Sequence, residues 1–262
     1  MTQLRHLTTI LVLTFALLAV PGAAGAGSGV YVALGDSFAS GVGTRSYDDA
    51  SGACLRSAKA YPLLVAERLG LTLRHKACSG ADVAHVRDHQ LGALSATTSR
   101  VTLQVGGNDA GFSDVIVTCA QPSWTSDCNA VVDRAQRFIA GTLGERLDGL
   151  YALVSTRAPG ARVVVVGYPR LFAGEDCNAG TWFSPKEMER LNTTADQLNS
   201  RIRERAVAAG FGFVNPTKAY LGHAVCADVE WVNGLSKPVR ESYHPNVRGQ
   251  RGYSRLVDDR LA

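Results

Sequence analysis

The chain has 262 residues, of which 46% are apolar and 19% charged, and it carries a formal net charge of +4. That balance fits a compact globular protein and excludes a disordered or solvated linker chain. The small positive charge comes without a basic run or an aromatic-interleaved basic patch, which excludes nucleic acid as the expected partner, and no apolar run beyond the N-terminus is long enough to span a membrane.

Taken in chain order, Arg5 and His6 precede an apolar run over residues 7–20, Pro21 breaks it, and Ala24, Gly25 and Ala26 follow. Charged, apolar and small segments in that order make a secretory signal, so residues 1–26 are expected to be cleaved off and residues 27–262 to be extracellular. Residues 29–34 (GVYVAL) read as a buried strand running into a Gly35-Asp36-Ser37 turn. Residues 40–57, rich in Gly, Ser and Asp, read as a loop, and residues 61–69 as a helix with Pro62 in its first turn. A second strand is expected over 71–77, ending in Cys78-Ser79-Gly80, and then a helix over 81–91. Residues 100–105 (RVTLQV) make a third strand, followed by Gly106-Gly107-Asn108-Asp109. Helical periodicity runs from 129 to 157, interrupted at Gly141 and Gly144. The β-branched run in 161–166 (ARVVVV) suits a parallel strand buried on both faces. Ser184, Pro185 and Glu187 have the spacing of a capped helix start, and that helix should run to about residue 209. A short strand over 210–214, a loop-rich stretch and a helix from about Pro245 complete the chain. This alternation predicts one α/β domain with three α/β/α layers around a mainly parallel five-stranded sheet and right-handed crossovers.

All six cysteines (Cys54, Cys78, Cys119, Cys128, Cys177, Cys226) lie beyond the signal, and an even count in an exported chain reads as three disulfides. Many pairings are open; the sequential one is preferred, and its 119–128 loop is the best supported because Pro122, Ser123, Ser126 and Asp127 can turn the chain. No C-x-x-C pair and no His at finger spacing occur, which sets structural zinc aside. No metal and no cofactor are expected.

Three polar turns follow three expected strands: Gly35-Asp36-Ser37, Ser79-Gly80 and Gly107-Asn108. In an open parallel sheet the carboxyl ends of the strands face one edge, where ligands bind, so Ser37, Gly80 and Asn108 should converge. A fourth element, Glu241-Ser242-Tyr243-His244-Pro245, puts an imidazole at the entrance of the last helix. Asp36 and Asp109 read as turn braces, and His75, His85, His89 and His223 are assigned no role. Trp124, Trp182 and Trp231 are candidates for an acyl groove, with ordinary packing the favoured reading.

The set resembles the SGNH, or GDSL-type, hydrolase superfamily, whose fold is flavodoxin-like. The first block stands as Ala33-Leu34-Gly35-Asp36-Ser37-Phe38-Ala39-Ser40-Gly41, with Phe38 where the family usually has Leu; the second contributes Gly80, the third is Val105-Gly106-Gly107-Asn108-Asp109, and the fifth supplies His244 before Pro245-Asn246. The cysteine layout further resembles the secreted actinomycete lipase, esterase and phospholipase branch, and that resemblance implies the sequential pairing. It also implies Ser37 as nucleophile, His244 as general base and then acid, and an oxyanion hole from the N–H groups of Ser37 and Gly80 and the amide of Asn108. Donors of that kind are worth about 3–4 kcal/mol each, and Gly80 would let the main chain approach the oxyanion unobstructed. Where the superfamily commonly has Asp three residues before the His, this chain has Glu241. Either its side chain orients His244 or its backbone carbonyl does, as in members with a Ser–His dyad; the carbonyl is preferred. The implied activity is a cofactor-independent secreted serine esterase or lipase acting on lipid-like esters, with transient contact to a lipid surface. The alternatives are a polysaccharide deacetylase of the same fold and a secreted binding protein without catalysis.

Overall fold

A computed structural model describes residues 29–262; the expected signal, residues 1–26, lies outside them. Five strands form one parallel sheet: β1 (Val30–Gly35), β2 (Thr72–His75), β3 (Thr98–Gln104), β4 (Arg162–Val166) and β5 (Gly212–Val214). Their order is β2-β1-β3-β4-β5. The chain therefore steps from β1 to one side and returns to the other side of it, which opens a crevice between the carboxyl ends of β1 and β3. Helices α2 (Tyr61–Leu69) and α8 (Val247–Leu261) pack together, while α5 (Cys128–Ala140) and α6 (Thr142–Arg157) pack against α7 (Pro185–Ala208). Right-handed crossovers put these two groups on opposite faces of the sheet. Tyr31 to Leu34 in β1 and Val163 to Val166 in β4 are buried, as the unbroken apolar runs required. Tyr31 is accommodated there because its hydroxyl hydrogen-bonds Thr102 Oγ1 at 2.7 Å.

Local chemistry sets most of the boundaries. In α7 both halves of the capping box are present: Ser184 Oγ accepts the Glu187 N–H, and the Glu187 carboxylate accepts the Ser184 N–H. Helical periodicity over 129–157 breaks only at Gly141, while Gly144 lies inside α6 and faces the Arg201 side chain. The last helix starts at Val247 rather than at Pro245, because Asn246 is its cap and accepts from the N–H groups of Arg248 and Gly249. A helix the sequence did not suggest, α4 (Phe112–Cys119), follows Gly111 in the left-handed region at φ 80. The expected helix over 81–91 is broken into α3 (Val83–His85), a wide turn over Val86–Gln90 and a tight turn over Leu91–Ala93. The wide turn brings Gln90 inward, where its amide accepts from Gly35 N at 2.8 Å and donates to Gly35 O at 2.9 Å.

The cysteines pair sequentially as Cys54–Cys78, Cys119–Cys128 and Cys177–Cys226. The first ties the loop after β1 to the turn that carries Gly80, and the second closes the segment between α4 and α5. Among the described residues no helix is long and apolar enough to cross a membrane.

Because Gln90 is the buried partner of the Gly35 N–H, Gln90→Leu should destabilise the protein by about 1–3 kcal/mol, the cost of stranding a buried donor. Equilibrium urea unfolding measures this, and an unchanged midpoint would show that the amide is dispensable.

Candidate active site

At the end of β1 the backbone comes very close to its neighbour: a Cβ on Gly35 (φ 142) would lie 2.4 Å from Gln104 O, so only glycine fits. Asp36 then caps a single helical turn, α1 (Ser37–Ser40), its Oδ1 accepting from Phe38 N at 2.9 Å. Ser37 is thereby held at the first position of a turn at the mouth of the β1/β3 crevice. From the other end of the chain comes His244, buried like Ser37. Its Nε2 lies 2.8 Å from Ser37 Oγ, and its Nδ1 lies 2.8 Å from the Ser242 carbonyl oxygen. A carbonyl can only accept, so Nδ1 carries the proton and Nε2 is left to accept from the Ser37 hydroxyl. Burial pushes His244 down to about 4, against smaller opposing effects of the Ser242 carbonyl and the Glu241 charge. The imidazole is therefore neutral at neutral pH.

The group that bonds His244 Nδ1 is not at residue 241, by side chain or by carbonyl. The Glu241 carboxylate accepts from the Tyr47 hydroxyl, and its carbonyl faces Asn233 Nδ2 at 3.3 Å. Tyr243 adopts the left-handed region at φ 58. With that reversal, the carbonyl two residues before the His, rather than three, meets Nδ1.

Gly80 lies exposed at φ 78, and a Cβ there would meet no protein atom within 4 Å. Its backbone angle, rather than clearance from the protein, is what calls for glycine. Asn108 uses one amide hydrogen to donate to Ala81 O at 3.0 Å, and Asp109 Oδ2 accepts from Val83 N at 2.9 Å. Those two bonds clamp the Gly80 turn to the Asn108 turn, and Arg146 pairs with the other oxygen of Asp109 at 3.2 Å. Cys78 N donates to Gly35 O at 3.0 Å, which joins the Gly80 turn to the Ser37 turn as well. Among the described residues neither the Ser37 nor the Gly80 N–H has a protein acceptor.

Asp36 does more than brace its own turn. Oδ2 accepts the Tyr168 hydroxyl at 2.5 Å, and that hydroxyl accepts from Gly107 N at 3.3 Å. Burial raises the Asp36 carboxyl to about 7, although the Tyr168 and Phe38 bonds pull it back. Buried amides support the same turns: Asn199 bonds Tyr168 N and O at 2.8 and 2.7 Å, and Gln250 bonds Tyr61 N and Phe38 O at 2.8 and 3.0 Å. Sequence reasoning missed Tyr168, Asn199 and Gln250, because each finds its partner far along the chain.

Beside Ser37 and His244 lies an apolar cavity whose lining includes Phe38, Phe112, Val115, Ile116, Ile139 and Leu191. Its near wall is close to the imidazole, with the Phe38 and Phe112 rings 5.1 and 5.8 Å from that of His244. The tryptophans do not line it: Trp231 stacks on His223 at 4.2 Å, and Trp124 and Trp182 are exposed. Among the described residues no group of three or more His, Cys, Asp or Glu side chains is arranged to hold a metal ion.

Residues 33–251 match the family of GDSL-like lipases and acylhydrolases. A lipase of Streptomyces rimosus is 42% identical over 226 residues, which cover 85% of this chain and 83% of the relative. The crystal structure of the extracellular lipase of Streptomyces rimosus is similar with a TM-score of 0.83 at 40% identity, over 89% of this chain and all (100%) of that one. The phospholipase A1 of Streptomyces albidoflavus gives a TM-score of 0.85 at 42% identity, with coverage of 89% and 100%.

The position of His244 has a consequence for stability. An ordinary imidazole titrates near 6.5 and this one near 4, so the unfolded chain binds a proton over that interval that the folded chain refuses. The contribution of His244 to stability is full above about pH 6.5 and falls as the pH drops toward 4; His75, pushed down to about 4 by burial, adds to the same slope, and Asp36, raised to about 7, opposes it. In urea unfolding across this range His244→Gln should show a shallower loss than the parent; equal slopes would mean that His244 is not held neutral.

Proposed function

Given that the chain belongs to the GDSL-like lipase and acylhydrolase family, we propose that it is a secreted serine esterase that hydrolyses lipid-like carboxylic esters through an acyl-enzyme on Ser37. The observation that carries the reading is the relay of two 2.8 Å contacts from Ser37 Oγ to His244 and from His244 to the Ser242 carbonyl. A serine hydroxyl is a weak nucleophile until a base takes its proton. Nε2 of His244 accepts that proton as Oγ attacks the ester carbonyl, and the Ser242 carbonyl stabilises the imidazolium that results. The oxyanion meets the N–H groups of Ser37 and Gly80 and the second amide hydrogen of Asn108. Collapse breaks the ester C–O bond, and the imidazolium gives its proton to the departing alkoxide. Water then repeats the attack on the acyl-Ser37 carbonyl, releasing the acid and restoring the serine.

The apolar cavity beginning at Phe38 and Phe112 supports an acyl chain rather than a sugar acetyl group as the bound portion of substrate. Relatives named as lipases and a phospholipase A1 support the same substrate class. Three disulfides, the charged–apolar–small N-terminus and a relative described as an extracellular lipase support secretion.

Ser37→Ala and His244→Ala should each lower kcat by roughly 10⁴-fold or more, and a serine-reactive organophosphonate should add its mass to the peptide containing Ser37. Folded protein that resists labelling would favour the non-catalytic binding protein. On a panel of short esters, triacylglycerols, phospholipids and acetylated xylan, the lipid esters should give the highest kcat/KM; preference for acetylated xylan would instead support the deacetylase.

A further inference from the structure

Glu241 does not orient His244 directly, yet it is only 1% exposed, and a carboxylate is costly to bury unless something in the fold holds it. Its Oε1 accepts the Tyr47 hydroxyl proton from a residue 194 positions away, and its Oε2 is buried with no partner among the described residues. The Tyr47 hydroxyl in turn accepts from Gly43 N at 3.1 Å. Burial first, and then the bond to Glu241, pushes the Tyr47 phenol up to about 12, so it remains a donor.

Gly43 lies on the segment that leaves the nucleophile turn, where Val42 N donates to Ser37 O at 3.0 Å. Its carbonyl accepts from Asn233 Nδ2 at 2.9 Å, and the same amide reaches the Glu241 carbonyl at 3.3 Å. Asn233 N donates to the His244 carbonyl at 3.0 Å, and Tyr243 N donates to Asn233 O at 2.9 Å. A Cβ on Gly43 would come within 3.0 Å of His244 Cβ and 2.5 Å of Pro245 O, so the two segments are in direct backbone contact. A ring of contacts therefore leaves the Ser37 turn at Gly43, passes through Tyr47, Glu241 and Asn233, and returns at His244.

We propose that Glu241 is a positioning residue for His244, its buried carboxylate clamping Tyr47 and so fixing the His244 segment against the backbone that leaves the Ser37 turn. The proposal rests on Ser37 and His244 acting as read above. A charge-assisted bond suits this place, because it is short, directional and stronger than a neutral one. The clamp matters for rate because displacement of catalytic groups by about 1 Å can cost up to about 100-fold. A loosened clamp lengthens the reach from Nε2 to Oγ without touching the substrate, so it shows in kcat and not in KM.

The experiment measures kcat and KM for a short-chain p-nitrophenyl ester on the whole secreted protein, with active sites counted by organophosphonate titration. Glu241→Leu and Tyr47→Phe should each lower kcat about tenfold at unchanged KM. The double variant should be no slower than either single one, because both cut the same contact. Glu241→Gln, which can still accept from Tyr47, should recover most of the rate. If Glu241→Leu fails to fold, Tyr47→Phe and Glu241→Gln carry the comparison. Parental kcat in folded Tyr47→Phe, additive losses in the double variant, or Glu241→Gln no faster than Glu241→Leu would each overturn the clamp. A merely structural role would lower the melting temperature and leave kcat per titrated site at the parental value. Should the parent hydrolyse no ester, the proposed function itself fails and this inference falls with it; an active parent beside unaffected variants overturns the clamp alone.

Discussion

The carboxylate of Asp36 has almost no access to water, and the turns of the site are arranged around it. A buried acid must find its hydrogen bonds inside the protein. One oxygen fixes the turn that carries Ser37, and the other takes the hydroxyl of Tyr168, which follows β4. Tyr168 passes the restraint to Gly107, the residue before Asn108. The ends of β1, β3 and β4 are thus tied through one polar chain. This is why the Ser37 hydroxyl and the Asn108 side-chain amide, 71 positions apart in the sequence, can keep a common frame. The rise in the Asp36 carboxyl to about 7 reflects how much of its hydration has been given up for that purpose.

Backbone that turns sharply at a sheet edge loses the partners that a helix or strand would supply, and here buried amide side chains replace them. Gln90 serves both polar groups of Gly35, Asn199 both those of Tyr168, and Gln250 joins Tyr61 to Phe38. A carboxamide suits this task because it offers a donor and an acceptor on one rigid plane and carries no charge to desolvate. Gln104 extends the pattern by donating to the Gly167 carbonyl beside the Tyr253 hydroxyl. The interior beneath the site is therefore polar, with Gln90, Asn199 and Gln250 each bonded at both ends of the amide, while Gln104 Oε1 is buried without a partner among the described residues.

His244 illustrates a different economy. Its Nδ1 proton is held by a neutral carbonyl rather than by an acid, so the tautomer is fixed without drawing the ring toward its protonated form as strongly as a direct carboxylate bond would. Burial then dominates, and the ring stays neutral well into the acid range. The nearby negative charge belongs to Glu241, whose carboxylate makes no bond to the imidazole and is engaged with Tyr47. Orientation and charge, which one carboxylate supplies together in a Ser-His-Asp triad, are here divided between a backbone oxygen and a more distant side chain.

Much of this was legible in the sequence because the rules involved act over a few residues. Apolar runs marked β1, β3 and β4, the Ser184–Glu187 spacing marked the start of α7, and polar turns after apolar runs marked Ser37, Gly80 and Asn108. The break of residues 81–91 was not legible, because it follows from Gln90 bonding a residue 55 positions away. Nor was α4, whose start depends on the left-handed backbone of Gly111. Residue types and short spacings determined the layered fold and which polar turns stand at the carboxyl ends of its strands. Only the tertiary structure decided what orients the imidazole, and the reason is physical: every residue carries the same carbonyl, so side-chain identity cannot choose among them. The turn at Tyr243 brings the Ser242 oxygen to Nδ1 and leaves Glu241 to a partner from the far end of the chain.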